Sequence, residues 1–245
     1  MMPQHLPIAM LHHVSNRKDW ESLSPFVIRH ETFTRFLDAI EAAGKRTITF
    51  RQLHEGLERS KRDVIITFDD CGKHLLDFAV PELIRRNMTA VFYIPTADIG
   101  GCNSWNVADG KSRVELMDAT DLKALEKYGM EVGSHSHDHI HLDQVTDEEV
   151  EQQLRTSQSI LTQVLGHPAV SVAYPYGGIP ESKNPLKSCG FHAACSIFSP
   201  QPDRWTQRRF IVHDGDSNLA LRIKLNRAYG FYRNWSDRRI EQRAS

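Results

Sequence analysis

The chain has 245 residues, 40% of them hydrophobic, and carries 30 lysines and arginines against 31 aspartates and glutamates. This nearly neutral balance gives no general electrostatic reason to expect nucleic acid or an anionic membrane as a partner. No apolar run approaches the roughly 20 residues that span a bilayer, and the N-terminus has neither the charged nor the apolar region of a signal peptide. We therefore expect a single domain over residues 1–245, without a transmembrane segment, in a cytoplasmic protein.

Apolar runs alternate with amphipathic helical patterns along most of the chain. Short apolar or β-branched runs predict strands at 7–13, 47–50, 63–70, 89–95, 130–135, 171–177 and 192–198. Apolar residues at helical spacing predict helices at 31–44, 51–59, 75–87, 118–128, 146–165 and 181–189. Repeated strand–helix units of this kind imply a parallel sheet, either open or closed into a barrel.

Two segments and the cysteines do not fit this alternation. Residues 97–116 are too long for an ordinary connection, so they form either a functional loop or a disordered one. From Arg222 onward the chain is locally basic and holds several aromatic residues, and we interpret this end as a solvated, partly frayed helix. The four cysteines match the spacing of neither a zinc ribbon nor a dense disulfide framework, so we expect free thiols.

The sharpest chemical signal is the segment from His135 to His139, which follows a predicted strand. Two histidines four positions apart can face one metal ion if the segment turns helically, and neutral imidazole is a good zinc ligand. His137 and His141 fall between or beyond the spaced pair, and we interpret them as facing solvent or supporting the ligands. The alternative is a histidine-rich loop that binds metals without specificity.

Two carboxylates, Asp69 and Asp70, directly follow another predicted strand. A bound dication would offset their repulsion and desolvation, although a pair of helix N-caps is an alternative. Residues 174–177 also follow a strand and by themselves indicate only a turn. Position favours a common site, because the C-terminal ends of the strands carry the active site in parallel barrels. Two histidines and one carboxylate leave an open coordination position, as in hydrolytic zinc sites.

These segments together resemble the polysaccharide deacetylase family of carbohydrate esterases. TFDD at 67–70, HSHDH at 135–139 and YPYG at 174–177 are similar to three motifs of that family, and the likeness extends over most of 64–195. The resemblance implies an irregular, TIM-like (β/α) barrel of about seven strands, formed by a single deacetylase-like catalytic domain. It also implies a metal-dependent hydrolase that removes N-acetyl groups from an amino-sugar polysaccharide or oligosaccharide.

The resemblance assigns roles to individual residues. Asp70, His135 and His139 would hold Zn²⁺ or another divalent transition metal. Asp69 would be the catalytic base, and the backbone N–H of Tyr176 would help to stabilise the oxyanion. The partner would be an N-acetylated saccharide and not nucleic acid.

An acid is also needed to protonate the leaving amine. The N-terminal segment 7–15 is similar to the opening of family members with a permuted motif order, in which the acid histidine comes first. His12 aligns with that histidine. We therefore predict that His12 is the general acid, with His13 and His213 as alternatives.

Two positions depart from the family pattern. Cys71 replaces the usual glycine after the aspartate pair, and its thiol would make the site sensitive to oxidation or to soft metals. Val172 stands where the family often has an arginine that positions the base. Arg209, in a late segment that resembles the end of the permuted members, is our candidate replacement.

Two other functions stay open on the sequence alone. One is hydrolysis of a small non-sugar amide, since the same barrel supports other C–N hydrolyses. The other is a catalytically inert, sugar-binding relative. Four aromatic residues are candidates for stacking on sugar rings: Trp105, Tyr174, Tyr176 and Trp205.

Overall fold

The computed structural model describes residues 6–199 and 201–244 of the chain. The strands in this part are β1 (Ile8–Leu11), β2 (His13–Val14), β3 (Val27–Ile28), β4 (Arg46–Thr47), β5 (Asp63–Phe68), β6 (Val91–Ile94), β7 (Glu131–Ser134), β8 (Ser171–Ala173), β9 (Ala193–Ser196), β10 (Gln207–Arg208) and β11 (Phe210–Ile211). The helices are α1 (His30–Ala42), α2 (Phe50–His54), α3 (Ala79–Arg85), α4 (Ser104–Ala108), α5 (Ala119–Lys127), α6 (Asp147–Leu165), α7 (Asn184–Ser188), α8 (Asn218–Lys224) and α9 (Arg227–Ala244). Across the same residues, no helix has both the length and the hydropathy that a bilayer crossing requires.

A nearly closed ring of parallel strands forms the centre of the molecule. Its strands follow the order β10-β9-β8-β7-β6-β5-β1-β11, with β4 added beside β5 and with β2 and β3 forming a separate pair. The segment 207–211 closes the ring, because Gln207 pairs with β9 and Phe210 pairs with β1. Arg209 lies at the break between these two pairings. This arrangement confirms the predicted irregular, TIM-like barrel.

The strands have apolar layers on both of their faces, which explains why their sequences are largely hydrophobic runs. Ile65 of β5 packs with Tyr93 and Ala173 of other strands inside the ring, whereas its neighbour Ile66 belongs to the larger core that the helices share. Successive side chains of a strand point to opposite faces, and both faces of a parallel barrel are buried. Strand β5 is therefore buried at all of its positions, and the aspartates follow directly at its end.

Long, strongly patterned elements match the sequence predictions better than short ones. Helix α6 begins one residue after the predicted start, and Thr146 forms a capping box with Glu149. The strand predicted at 47–50 is wrong beyond Thr47: β4 ends there, and Thr49 caps α2 instead. The run is rich in residues that favour strands, but the side chain of Thr49 accepts a hydrogen bond from the first turn of the helix and so ends the extended segment early.

The long connection 97–116 folds over the end of the barrel and is not a disordered loop. It contains α4, and a backbone bridge joins its end at Leu116 to Gly72 after β5. The side chain of Asn103, which is fully buried, accepts from the backbone N–H of Val114. These contacts favour the functional-loop interpretation of this segment.

The C-terminal segment is anchored to the barrel along the middle of α9. Nε of Arg208 donates to Oδ2 of Asp237 at 2.6 Å, and the backbone N–H of Ser199 donates to the same oxygen at 3.1 Å. Both charged side chains are buried. The interpretation of this end as a solvated helix is therefore correct for the outer face of α9 and wrong for the face that carries Asp237.

Candidate active site

Polar residues from four strand ends meet at one end of the barrel. His12 follows β1, the aspartates 69–70 follow β5, His135 follows β7 and Tyr176 follows β8. In a parallel barrel the carboxyl ends of the strands lie on the same face, so the fold gathers residues that are far apart in the sequence.

Asp70, His135 and His139, here called the metal triad, present three candidate ligand atoms to one point. These atoms all lie within 4.8 Å of one another. Oδ1 of Asp70 is 3.6 Å from Nε2 of His135 and 3.4 Å from Nε2 of His139. Ligands about 2.1 Å from a tetrahedral ion are about 3.4 Å apart, so the observed distances fit an ion of the size of Zn²⁺.

Hydrogen bonding around the triad also fits a cation. Oδ1 of Asp70 is buried and has no hydrogen-bond partner among the described residues, and a buried carboxylate oxygen left in that state is costly unless a cation neutralises it. Nδ1 of His135 donates to the carbonyl oxygen of Ala173 at 2.7 Å, which directs an unprotonated Nε2 into the triad. Burial lowers the pKa of His135 to about 4, so its imidazole is neutral, as a metal ligand must be, near neutral pH.

Left-handed backbone, and not the expected helical turn, brings the two histidines together. Ser136 and His139 have φ angles of 62° and 55°, and the backbone N–H of His139 donates to Oγ of Ser136 at 3.1 Å. Asp70 also lies in the left-handed region, with φ at 69°. Such conformations cost energy in non-glycine residues and persist where the surrounding structure fixes them, as it does around this cluster.

The second aspartate, Asp69, is held by a buried arginine. Nη1 and Nη2 of Arg209 donate to Oδ1 and Oδ2 of Asp69 at 2.6 and 2.7 Å, and Nη1 also donates to Oγ1 of Thr67. Burial alone would raise the pKa of Asp69, but the charge of Arg209 leads the opposing influences and lowers that pKa below its ordinary value. Asp69 is thus an ionised carboxylate of fixed orientation, and Arg209 is the cation that holds it.

Of the three candidate acid histidines, His12 is the one that faces the aspartates. Its Nε2 is 3.9 Å from Oδ2 of Asp69, and its side chain is 15% exposed. His13 is buried against Trp20, and burial lowers its pKa to about 4. The side chain of His213 is exposed. The geometry therefore favours His12, while the role itself stays a prediction.

The segment after β8 bends over the metal triad. Tyr176 has a φ of 57°, and its ring contacts the ring of His139 edge-on at a centroid distance of 4.8 Å. The same ring stacks on His141 at 4.0 Å and is 49% exposed. Tyr176 thus lies where the family motif predicts it, at the rim of the site, and the donor role of its backbone N–H stays a prediction.

The aromatic candidates for sugar stacking divide into two groups. Trp105 of α4 stacks on the ring of His139, with centroids 4.1 Å apart and planes 14° apart, a contact that sequence reasoning missed. The one feature of the sequence that pointed to this contact was the unusual length of the 97–116 connection. Tyr174 and Trp205 are 0% and 5% exposed, so burial excludes them from contact with a sugar.

The part of the chain that forms most of this site also matches a known protein family. A family model described as polysaccharide deacetylase matches residues 56–194, which is more than half of the chain. The chain belongs to the polysaccharide deacetylase family. The matched range includes Asp69 and the whole metal triad, but neither His12 nor Arg209.

Named relatives agree with this assignment. The poly-beta-1,6-N-acetyl-D-glucosamine N-deacetylase of Staphylococcus aureus (strain MRSA252) is 26% identical over 168 residues, which cover 63% of this chain and 56% of that protein. IcaB from Ammonifex degensii superposes with a TM-score of 0.73 at 20% identity and covers 93% of this chain and 97% of its own. Streptococcus pyogenes deacetylase PplD in complex with acetate has a TM-score of 0.73 at 18% identity and covers 90% and 98%. At these identities the two solved structures show a shared fold, and the curated relative is matched over little more than half its length.

Cys71, which replaces the usual glycine of this family, packs in the apolar core. Its φ of 52° is in the left-handed region that glycine adopts without strain. The side chain is fully buried, and burial raises the pKa of the thiol well above its ordinary value. A buried, protonated thiol is a poor nucleophile and metal ligand, which argues against the sensitivity expected from the sequence.

Proposed function

We propose that this member of the polysaccharide deacetylase family is a metal-dependent hydrolase that removes N-acetyl groups from an amino-sugar polysaccharide or oligosaccharide. The observation that carries the proposal is the different surroundings of two adjacent carboxylates. Asp70 faces two histidine nitrogens with an unsatisfied oxygen, whereas Asp69 is fixed and ionised by Arg209. One carboxylate suits a metal ligand and the other a base, which is the combination that hydrolysis of an amide by activated water requires.

Each residue has a defined part in the proposed reaction. A divalent ion at the metal triad would supply a Lewis acid that polarises the amide carbonyl and lowers the pKa of water. Asp69 accepts the proton of the attacking water, because its carboxylate is ionised and lies beside the triad. His12 donates a proton to the leaving nitrogen, so that a neutral amine departs. The backbone N–H of Tyr176 donates to the carbonyl oxygen as that oxygen becomes negative.

The substrate class rests on the rim of the site together with the named relative. Tyr176 is half exposed beside the metal triad, and Trp105 is partly exposed on the other side of His139. Flat aromatic surfaces of this kind suit the apolar faces of sugar rings. The Staphylococcus aureus relative is named for poly-beta-1,6-N-acetyl-D-glucosamine, and we extend that class of N-acetylated polysaccharide to this chain as a proposal.

Metal analysis combined with an acetate-release assay tests the proposal. The purified protein is treated with a chelator, reloaded with Zn²⁺, Co²⁺ or Ni²⁺, and incubated with β-1,6- and β-1,4-linked N-acetylglucosamine oligomers. We expect acetate release that stops on chelation and returns on reloading, because the triad is the cluster of this kind found among the described residues. Release from small acetanilides but from no sugar would favour the non-sugar amide alternative, and sugar binding without release would favour an inert relative.

Replacing His12 with glutamine should lower kcat by about 10²–10⁴-fold, because the leaving amine would lose its proton donor. The loss should be much smaller with an activated aryl ester, whose leaving group needs no proton. Metal content should not change, since His12 is outside the triad. His213→Gln is the matched control and should keep wild-type kcat, because the side chain of His213 is exposed. An inactive His213→Gln beside a fully active His12→Gln would show that the assignment is wrong.

A further inference from the structure

Helix α9 packs on the barrel through small and polar residues. Gly230, Asn234 and Asp237 are buried at helical spacing, and Asp237 makes the buried ion pair with Arg208. Amphipathic helices of soluble proteins normally bury their apolar stripe and expose their polar one. Apart from Tyr229, whose ring packs against Phe210 of the barrel, the described residues of α9 bury a small and polar stripe and expose the large apolar side chains.

Large apolar side chains of α8 and α9 are exposed to solvent instead. Tyr232, Trp235 and Ile240 of α9 are 59%, 46% and 54% exposed, and Leu219 and Ile223 of α8 are 67% and 49% exposed. We call these five residues the α8–α9 apolar surface. Phe231 of α9 is also 45% exposed, whereas the other exposed large apolar residues of the described chain come from separate elements, as is normal for scattered surface positions. A concentration of them on two successive helices marks an interaction site.

Among the described side chains of α8 and α9, the exposed charges are positive. Asp237, the acidic residue among the described side chains of α9, is buried and paired with Arg208. The guanidinium of Arg239 lies 3.9 Å from the ring centroid of Trp235, which places a cation directly on the apolar surface. The exposed arginines of the two helices are Arg222, Arg238 and Arg239.

We propose that the α8–α9 apolar surface docks on an anionic phospholipid bilayer. Helices that lie at a membrane interface insert aromatic and aliphatic side chains at the headgroup boundary, while arginines pair with the lipid phosphates. Each basic residue near an anionic bilayer contributes roughly a fivefold gain in affinity, so three exposed arginines make a substantial contribution. The near-zero net charge of the whole chain conceals this local excess.

Two other occupants fit the surface less well. A second copy of the chain would bring the same arginines together, and like charges across an interface repel. A nucleic acid would use the arginines and aromatic rings, but it offers no apolar partner for the aliphatic Leu219, Ile223 and Ile240. A bilayer satisfies the charges and the aliphatic side chains together.

The direction of α9 relates the docking surface to the active site. Near its start, Arg227 donates to the backbone oxygen of Ser60, which precedes β5. Further along the helix, two residues after Trp235, Asp237 accepts from the backbone N–H of Ser199, which follows β9. Helix α9 therefore runs from the N-terminal end of the barrel toward the end that carries the metal triad. Docking along α9 would lay the side of the barrel against the bilayer, with the catalytic end at one end of the docked face, although docking itself does not depend on the proposed activity.

Vesicle flotation with the full chain tests the proposal. We expect the protein to float with vesicles of equal parts phosphatidylglycerol and phosphatidylcholine, to stay behind with phosphatidylcholine alone, and to dissociate at high salt. The double variant Arg238→Glu/Arg239→Glu should reduce the bound fraction at least about tenfold. Lys123→Glu/Lys127→Glu on α5 makes the same charge change elsewhere and should bind like the wild type.

Trp fluorescence should shift to the blue on binding, and Trp235→Phe should remove that shift.

Circular dichroism and a melting curve establish that each variant folds. The Tyr232→Ser/Trp235→Ser variant should lose binding while Tyr128→Ser, at the exposed aromatic position directly after α5, retains it. Equal binding to neutral and anionic vesicles, or no flotation at all, would overturn the proposal. So would a dimer in light scattering that Trp235→Ser dissociates, or retention on single-stranded DNA with the same residue dependence and no vesicle binding.

Discussion

Replacing Arg209 with methionine should abolish most of the proposed activity and destabilise the fold at once. Asp69 would keep its burial but lose both charge-assisted hydrogen bonds from the guanidinium. Removing one partner of a buried ion pair typically costs about 3–5 kcal/mol, because the remaining charge is left uncompensated. A base that is no longer held in position should also lower kcat about 100-fold or more.

The pH profile separates a positioning role for Arg209 from a purely structural one. The pKa of Asp69 is depressed in the folded protein, so the pair contributes stability above the ordinary pKa of the carboxyl and loses that contribution as the pH falls through the folded pKa. In Arg209→Met, burial dominates and the pKa of Asp69 rises. We therefore expect the acid limb of kcat/KM to move to higher pH, with Arg209→Lys intermediate.

Arg208→Met is a matched control for this experiment. Arg208 adjoins Arg209, is buried, and makes an ion pair of similar geometry with Asp237. Its replacement should lower the urea midpoint in the same way while kcat and the acid limb stay as in the wild type. If both variants lose activity equally, with no change in the pH profile, Arg209 acts only through stability and its positioning role is refuted.

Removing any member of the metal triad should reduce acetate release to background and strip the protein of its ion. Loss of a residue that merely supports a ligand costs about 10–100-fold in metal affinity, and loss of a ligand should cost more. Asp70→Asn is the sharpest variant, because it keeps the shape and removes the charge that the unsatisfied Oδ1 now carries. Metal content after gel filtration, measured for Asp70→Asn, His135→Ala and His139→Ala, checks this prediction.

A thermal-shift measurement provides a readout that does not depend on turnover. Zn²⁺ should raise the melting temperature of the wild type, because an ion that binds the folded state alone stabilises it, and it should leave the triad variants unchanged. His137→Ala is the control in the same segment, since the His137 ring contacts Thr96 and not the triad. A zinc-dependent shift that persists without Asp70 but disappears without His137 would place the metal elsewhere.

The order of strands and helices could be predicted because the barrel buries both faces of its strands. Apolar and β-branched runs such as 64–68 leave little choice but a buried strand, and the polar residues that follow must then lie at its carboxyl end. This reasoning located the aspartates and histidines without knowledge of the closure of the ring. Short elements failed where one side chain decided the outcome, as Thr49 does by capping α2.

Contacts between distant segments could not be read from the sequence. The stacking of Trp105 on His139 depends on how a 20-residue connection folds back across the barrel, which no local pattern encodes. The hydrogen bond from His135 to the backbone carbonyl of Ala173 could not be predicted from the sequence either, because any residue at position 173 supplies a carbonyl. The burial of Tyr174 depends likewise on its packing under later segments.

The place of Arg209 has a consequence for how members of this family are compared. The guanidinium of Arg209 lies inside the barrel, over the aromatic ring of Tyr93, and reaches Asp69 from there. The base therefore needs a cation in that part of the barrel, whichever position of the sequence supplies it. Several strands line the same space. A chain that lost the arginine beside its third motif could therefore be rescued by a substitution on another strand. A survey of the motifs alone would score such a site as defective, although the cation that holds its base is only supplied from a different position.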